Sequence, residues 1–196
     1  MSRAPSLILA SSSPRRQELL ARLGIAFTVH PSHLPEEPPP DAAPADAVVA
    51  LALAKARAVA RELAAPAGVV LAADTEVVIE GALLGKPVDA ADAARILRRL
   101  RGCVHEVITG LALVEAPPGG REQTAAVTTR VRMADYADAE IEAYVATGEP
   151  FDKAGAYAVQ GLGGRLVAEV DGCFTNVVGL PVETTRRLLQ TWGMLR

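Results

Sequence analysis

The chain has 196 residues, of which 50% are hydrophobic and only 4% aromatic, and its formal net charge at pH 7 is −3. This length predicts one substantial core, or two small lobes that share one. The slightly negative charge and the scarcity of aromatic side chains argue against a protein that wraps nucleic acid or lies on an anionic membrane. We therefore expect neither nucleic acid nor a membrane as a partner.

The cysteines and the apolar runs favour a soluble protein of a reducing compartment. Cys103 and Cys173 stand alone and form no C-x-x-C motif, which argues against a zinc site or a redox pair. So few cysteines are typical of a cytoplasmic protein. The apolar run from Leu7 to Ala10 is too short for a signal peptide or a membrane span. We therefore expect a cytoplasmic protein.

The hydrophobic pattern predicts strands and helices in a mixed order. The first half of the chain is predicted to form a strand (6–10), a helix (15–23), a strand (27–29), a proline-rich loop (31–46), a helix (47–63), a strand (69–73) and a strand–turn–strand unit (74–87). The second half is predicted to form a helix (90–100), a hairpin (105–115 and 124–133), a helix (138–147), two short strands (153–160 and 166–170) and a terminal helix (181–195). Because hairpins alternate with helical crossovers, we expect a mixed α/β sheet.

The stretch "LASSSPRRQELL" places hydroxyl and guanidinium groups where the first strand passes into a helix. A helix N-terminus offers free N–H groups, to which Ser11 and Ser13 add hydroxyls, and Arg15 and Arg16 add forks that match phosphate oxygens. These residues are candidates for a polyphosphate site. An N-capped helix with solvated arginines fits the same letters, and for this motif taken alone it is the favoured interpretation.

Two further stretches carry candidate chemistry. In "LAADTEVVIEGALLGKP", Asp74 follows a buried strand, where an ionised carboxylate is costly without a partner. A carboxylate at this place can bind a divalent cation or take a proton from water. Lys86 lies in a turn from which its side chain can reach a phosphate. In "GEPFDKAGAYAVQGLGG", Lys153 lies among glycines that permit close approach to a ligand, and Gln160 can both donate and accept. Ordinary turn residues are the alternative for both stretches. His105, at the start of a strand, is expected to make a structural hydrogen bond.

Six stretches in this order resemble the Maf family of nucleoside triphosphate pyrophosphatases: "LILASSSPRRQELL", "ADTEVV", "LGKP", "HEVITG", "EIEAYVATGEPFDKAGAYAVQG" and "NVVGLP". The resemblance implies one domain over residues 1–196, with an elongated mixed α/β fold similar to that of the inosine triphosphate pyrophosphatases. A central twisted sheet flanked by helices and a cleft between two lobes are expected. It also implies hydrolysis of a nucleoside triphosphate to the monophosphate and pyrophosphate with a divalent metal, Mg²⁺ or Mn²⁺.

Three positions resemble the branch of the family that prefers dTTP and UTP, rather than the branch that prefers 7-methyl-GTP. These are Arg15 after S-P, Thr75 after the aspartate and Gln160 in the tail of the D-K-A-G segment. The family often has an acidic pair after its second strand, whereas this chain has "LPEEPPP", in which Glu36 or Glu37 stands in for the acidic residue. Arg101 replaces a more usual serine.

The resemblance and the residues together give a mechanistic hypothesis. Arg15, Lys55, Lys86 and Lys153 surround the triphosphate, and Asp74 activates the water that attacks the α-phosphorus. Asp74 and Glu36 are the expected metal ligands. Thr75 and Gln160 are expected to bind the pyrimidine. For Arg16 the hypothesis leaves open a phosphate contact or an acidic partner within the protein, with the phosphate preferred.

The sequence is also compatible with two alternative functions. One is the same chemistry on modified pyrimidine nucleotides, as a house-cleaning enzyme. The other is a nucleotide-binding regulator of cell division or septum formation, in which hydrolysis is incidental. A homodimer through the alanine-rich helices is compatible with the sequence, but the sequence does not specify one.

Overall fold

The computed structural model describes residues 6–35, 39, 41–63, 68–117 and 119–195. Its strands are β1 (Ser6–Leu9), β2 (Phe27–Val29), β3 (Gly68–Ile79), β4 (Ala82–Leu83), β5 (Val104–Glu115), β6 (Glu122–Met133) and β7 (Val167–Asp171). Its helices are α1 (Pro14–Ala21), α2 (Pro44–Glu62), α3 (Ala90–Leu100), α4 (Asp138–Val145), α5 (Phe174–Val178) and α6 (Val182–Thr191). Short 3₁₀ turns lie at Glu149–Asp152, Ala154–Ala156 and Leu162–Leu166.

These strands form one mixed sheet in the order β2–β1–β3–β5–β6–β7, and β4 pairs with β3. β1 runs parallel to β2 and β3, whereas β3, β5, β6 and β7 are joined in antiparallel pairs. The predicted mixed α/β class is thus confirmed. The long antiparallel pairing of β3 with β5 sets the register that places Asp74 opposite Gly110.

Two hydrophobic clusters share the long strands. At one end, leucines of α1 and α6 pack on the first half of β3 and the second half of β5; the cluster includes Leu7, Leu20, Leu71, Leu111 and Leu189. At the other end, α3 and α4 pack on the remaining halves of these strands; the cluster includes Val77, Leu97, Val107, Ile141 and Tyr157. The strands therefore connect two cores, and a cleft opens between the elements that cover them.

Helix α2 packs closely against the opposite face of the sheet. Ala52, Ala56 and Val59 of α2 share a buried cluster with the small side chains of β3 and β5. Gly110 is required where the helix begins to cross β5, because an added Cβ would collide with the backbone carbonyl of Val48. Lys55 follows Val48 by about two helical turns on the same face, so its side chain also points at the sheet.

Several predicted elements are confirmed and some differ. The predicted bounds of β2 and α3 match the structure, and β3 continues without interruption into the predicted strand–turn–strand unit. The predicted strand at 153–160 is wrong, because Gly155 (φ 70°) and Ala156 (φ 59°) adopt left-handed backbone conformations that an extended strand does not allow. The short helix α5 was not predicted. Among the helices that the structure describes, none combines the length and the apolar character needed to cross a membrane.

Candidate active site

The cleft lies where strand β3 extends beyond the end of its neighbour β1. β1 pairs with β3 only as far as Leu71, and β4 pairs with the same edge of β3 from Val78. Within the described residues, the β3 segment between these pairings has no strand beside it on that edge. A cleft of about 830 Å³ occupies this opening and is lined by Asp74, Thr75 and Glu76 of β3.

The structure brings ten of the predicted site residues to this one cleft: Ser11, Ser13, Arg15, Arg16, Lys55, Asp74, Thr75, Lys86, Lys153 and Gln160. They come from the N-terminus of α1, from α2, from β3 and from the segments that follow β4 and α4. The eleventh, Glu36, lies outside the described residues.

The N-terminus of α1 opens into the cleft. Ser13 is the N-cap, and its side chain accepts a hydrogen bond from the backbone N–H of Arg16, while Pro14 occupies the first helical turn. The hydroxyl of Ser11 accepts a hydrogen bond from the N–H of Ser13 at 3.3 Å. The cap fixes the direction of the first turn, and Arg15 of that turn lines the cleft.

Arg16 contacts three protein oxygen atoms at the wall of the cleft. Its Nε donates to the carbonyl of Gly179 at 2.9 Å, and its guanidinium also donates to Thr75 Oγ1 (3.1 Å) and Ser11 Oγ (3.4 Å). The hydroxyls of Thr75 and Thr109 share a hydrogen bond of 2.9 Å, and Thr109 donates to the carbonyl of Asn176. Arg16 therefore ties α1 to β3 and to the end of α5.

Lys55 and Asp74 form a buried ion pair. Lys55 Nζ lies 2.7 Å from Asp74 Oδ1, and the two residues are only 6% and 5% exposed. Asp74 Oδ2 is also buried, and no group of the described residues hydrogen-bonds to it. An ionised carboxylate at such a site needs compensation, which Lys55 supplies at one oxygen. The other oxygen is left for a ligand, a water or a cation.

The remaining basic residues lie on two segments that are hydrogen-bonded to each other. Lys86 follows Gly85, whose carbonyl accepts a hydrogen bond from the N–H of Gly155 at 2.8 Å. Lys153 Nζ donates to the carbonyl of Glu149 at 3.3 Å and also contacts Asp152 Oδ1. This hydrogen bond holds the two segments that carry the lysines next to each other in the lining of the cleft.

Three carboxylates in the cleft were missed by the sequence analysis: Glu76, Glu149 and Asp152. Glu76 follows Asp74 by two residues, which places both on one face of a strand, so alternation along β3 was the available signal. For Asp152, burial raises the pKa, but the hydrogen bond and charge of Lys153, together with the charge of Arg15, outweigh it and leave the pKa lowered. Asp152 is therefore ionised at neutral pH.

A preformed metal cage is not present among the described residues, since no three His, Cys, Asp or Glu side chains come together in them. The orphaned Oδ2 of Asp74 is the feature that fits a cation. Mg²⁺ is commonly held by one or two carboxylates plus substrate phosphates and water, so a single well-placed carboxylate suits a cation that arrives with its substrate.

Comparisons with known proteins identify the family. The Maf-like protein family model matches residues 6–192, and the chain belongs to this family. The chain is similar to the dTTP/UTP pyrophosphatase of Anaeromyxobacter dehalogenans, with 53% identity over 191 residues, 97% of this chain and 95% of that protein. It is likewise 53% identical to the dTTP/UTP pyrophosphatase of Moorella thermoacetica over 188 residues, 96% and 95% of the two chains.

A solved structure is also similar at low identity. It is the nucleoside-triphosphatase, or dITP/XTP pyrophosphatase, of Mycobacterium abscessus, with 17% identity and a TM-score of 0.46 over 96% of this chain and 95% of that one.

Proposed function

We propose that this protein hydrolyses dTTP and UTP to the monophosphate and pyrophosphate, in the cleft between its two cores. The relatives named dTTP/UTP pyrophosphatase support the reaction and the substrates, since about half of the residues are identical over nearly the whole length. The observation that carries the proposal is the buried Lys55–Asp74 pair, which leaves one carboxylate oxygen without a partner beside a cluster of basic side chains.

The basic residues are proposed to bind the triphosphate. Arg15 lies at the N-terminus of α1, whose free N–H groups and dipole favour an anion. Lys86 and Lys153 lie on two other segments of the lining, which are hydrogen-bonded to each other. Their charges offset the negative charge that develops on the leaving pyrophosphate, which lowers the barrier because the groups are already in place. Ser11 and Ser13 add hydroxyl groups, and Arg16 shapes the wall against which the phosphates lie.

Asp74 is proposed as the general base. Lys55 holds Oδ1, and Oδ2 accepts the proton from a water molecule as that water attacks the α-phosphorus. The bond between the α-phosphorus and the bridging oxygen breaks, and pyrophosphate leaves with the bonding electrons. General-base catalysis of this kind contributes about 10²- to 10⁴-fold to the rate. No covalent intermediate is needed.

A divalent cation, Mg²⁺ or Mn²⁺, is proposed to accompany the substrate. When bound, it would neutralise charge on the phosphate oxygens. Asp74 is the described residue that would contact it, through the lone pair of Oδ2 that does not take the proton, and Glu36 is the proposed second ligand. Both are oxygen donors, as these hard cations prefer.

The base of the nucleotide is proposed to contact Gln160 and Thr75. Gln160 is exposed in the cleft and offers both a donor and an acceptor. Thr75 already shares hydrogen bonds with Arg16 and Thr109, so its orientation is fixed before a ligand arrives. A site that hydrogen-bonds a base rejects another base strongly, because mismatched polar groups would stay buried and unpaired.

The test is a panel of nucleoside triphosphates incubated with the purified protein and Mg²⁺ or Mn²⁺, with pyrophosphate and monophosphate both measured. We expect dTTP and UTP to be converted selectively, and the Asp74→Asn variant to be about 10²- to 10⁴-fold slower. Preference for a purine would overturn the proposed substrates but keep the chemistry. Nucleotide binding without metal-dependent pyrophosphate release would instead favour a regulatory role.

A further inference from the structure

Glu149 anchors the turn that carries Gln160. Its Oε1 accepts hydrogen bonds from the hydroxyl of Tyr144 at 2.8 Å and from the N–H of Gly163 at 3.0 Å. Its Oε2 accepts from the N–H of Leu162 at 3.0 Å. One carboxylate thus satisfies two consecutive backbone donors of the turn that begins directly after Gln160, and it is tied to helix α4 through Tyr144.

The glycines of the "GLGG" stretch fit this contact. An added Cβ at Gly161 would collide with the Glu149 carboxylate, and one at Gly163 would collide with the hydroxyl of Tyr144. The backbone of the turn can approach the carboxylate and the phenol only because these two positions lack side chains. The close contact therefore depends both on the carboxylate of Glu149 and on the absence of side chains at the two glycines of the turn.

Glu149 is held as a carboxylate. Burial raises its pKa, but the hydrogen bonds from Gly163, Leu162 and Tyr144, with the nearby charge of Lys153, outweigh burial and leave the pKa lowered. At neutral pH the side chain is ionised and can accept all three hydrogen bonds. Hydrogen bonds to a charged acceptor are the stronger kind.

The same residue also contacts the phosphate side of the cleft. Its backbone carbonyl accepts a hydrogen bond from Lys153 Nζ at 3.3 Å. Gln160, by contrast, is an exposed residue of a turn, so its place in the cleft depends on the backbone of that turn. Glu149 lies between the lysine proposed to bind phosphate and the glutamine proposed to bind the base.

We propose that Glu149 is a positioning residue for nucleobase selection, which acts by fixing the turn that bears Gln160. This inference rests on the proposed function. The carboxylate fixes the turn by its hydrogen bonds to Leu162 and Gly163, while the backbone carbonyl of the same residue contacts Lys153. Loss of the carboxylate would weaken discrimination between bases and leave the binding of the phosphates intact.

The test uses the Glu149→Gln variant, which keeps the size of the side chain but presents an amide N–H to a backbone N–H. We expect KM for UTP to rise about 10- to 100-fold, from the loss of charge-assisted hydrogen bonds, with kcat changed far less. The UTP-to-GTP ratio of kcat/KM should fall with it. Inhibition by inorganic tripolyphosphate, which has no base, should be no weaker than in the wild type, because the basic residues keep their charges and the substitution removes a negative charge near Lys153.

Glu140→Gln is the matched control. Glu140 lies in α4 and, like Glu149, accepts a hydrogen bond from a backbone N–H, that of Ala137 at 2.8 Å, but it is not among the residues that line the cleft. We expect this variant to keep the nucleotide preference of the wild type. The inference is wrong, and the role of Glu149 is only structural, if Glu149→Gln lowers the turnover of all nucleotides equally. The same holds if the substitution weakens the binding of tripolyphosphate as much as the binding of UTP. If the wild type releases no pyrophosphate, the proposed function is wrong, and this inference, which rests on it, is wrong as well.

Discussion

The buried pair of Lys55 and Asp74 makes a sharp prediction about stability. Replacing Lys55 with Met keeps most of the side-chain volume but leaves the Asp74 charge inside the protein with neither oxygen satisfied. Removing one member of a buried pair costs about 3–5 kcal/mol, because an uncompensated charge remains. Against a typical free energy of unfolding of about 5–15 kcal/mol, this is a large loss that urea unfolding followed by circular dichroism resolves.

The structure also predicts that the two residues are energetically coupled. Asp74→Asn alone leaves the Lys55 ammonium beside a neutral acceptor, whereas the double variant leaves no buried charge. We therefore expect the double variant to lose at least about 1 kcal/mol less than the sum of the two single variants, within the range measured for contacting pairs. Additivity to within about 0.5 kcal/mol would refute the reasoning.

An exposed ion pair between the same helix and β6 provides the control. Arg57 and Glu122 lie 2.6 Å apart, but both side chains are substantially solvated. Arg57→Met should therefore cost less than about 1 kcal/mol. If Lys55→Met costs no more than Arg57→Met, burial does not strengthen the Lys55–Asp74 interaction and the argument for a preorganised carboxylate fails.

Three further predictions concern pH, packing and specificity. Burial lowers the pKa of His105 from 6.5 to about 4. Between these two pH values the unfolded chain binds a proton at this residue and the folded protein does not. The free energy of unfolding should therefore fall by up to about 3 kcal/mol as the pH is lowered from 6.5 to 4. His105→Leu should flatten that slope in urea titrations; an unchanged slope would assign it to other groups. Gly110→Ala should lower the free energy of unfolding by about 1–3 kcal/mol through collision with Val48, and wild-type stability would contradict the close packing of α2. Gln160→Glu should change the UTP-to-GTP ratio of kcat/KM by about tenfold or more, and an unchanged ratio would remove Gln160 from base binding.

Local patterns in the sequence predicted much of the fold. The alternation of apolar runs with turn residues located β1, β2, α3 and the β5–β6 hairpin. Of these elements, β1 and β5 are buried on both faces, whereas α3 buries one face. His105 was expected to make a structural hydrogen bond, and its Nε2 lies 2.8 Å from the hydroxyl of Tyr157. Strand order was not readable in this way, since it depends on contacts between distant parts of the chain.

The segment at 153–160 shows where such patterns fail. Alternating small and apolar residues predicted a strand, but the left-handed backbone of Gly155 and Ala156 turns the chain there. The left-handed conformation at alanine costs about 1 kcal/mol, and burial of Ala156 in the second core offsets it. A glycine inside an apparent strand was the available warning.

The residues of the site were easier to predict than their partners. Arg15 and Arg16 are adjacent, and helix geometry alone separates their directions by about 100°. Only the folded structure shows that Arg16 contacts the Gly179 carbonyl and the Thr75 hydroxyl, whose residues lie far away in the sequence. Likewise, no local signal connects Glu149 with the N–H groups of Leu162 and Gly163.

The charge balance of the cleft gives a separate physical reason to expect a cation with the substrate. Its described lining contains five basic residues, Arg15, Arg16, Lys55, Lys86 and Lys153, and four acidic ones, Asp74, Glu76, Glu149 and Asp152. The difference is a single positive charge, whereas a triphosphate carries several negative ones. A cleft that only bound polyphosphate would bind it more tightly without carboxylates, because carboxylates and phosphates repel each other strongly where water is excluded. Carboxylates in such a place are understandable if one of them accepts a proton, another orders the turn, and a divalent cation supplies the missing positive charge.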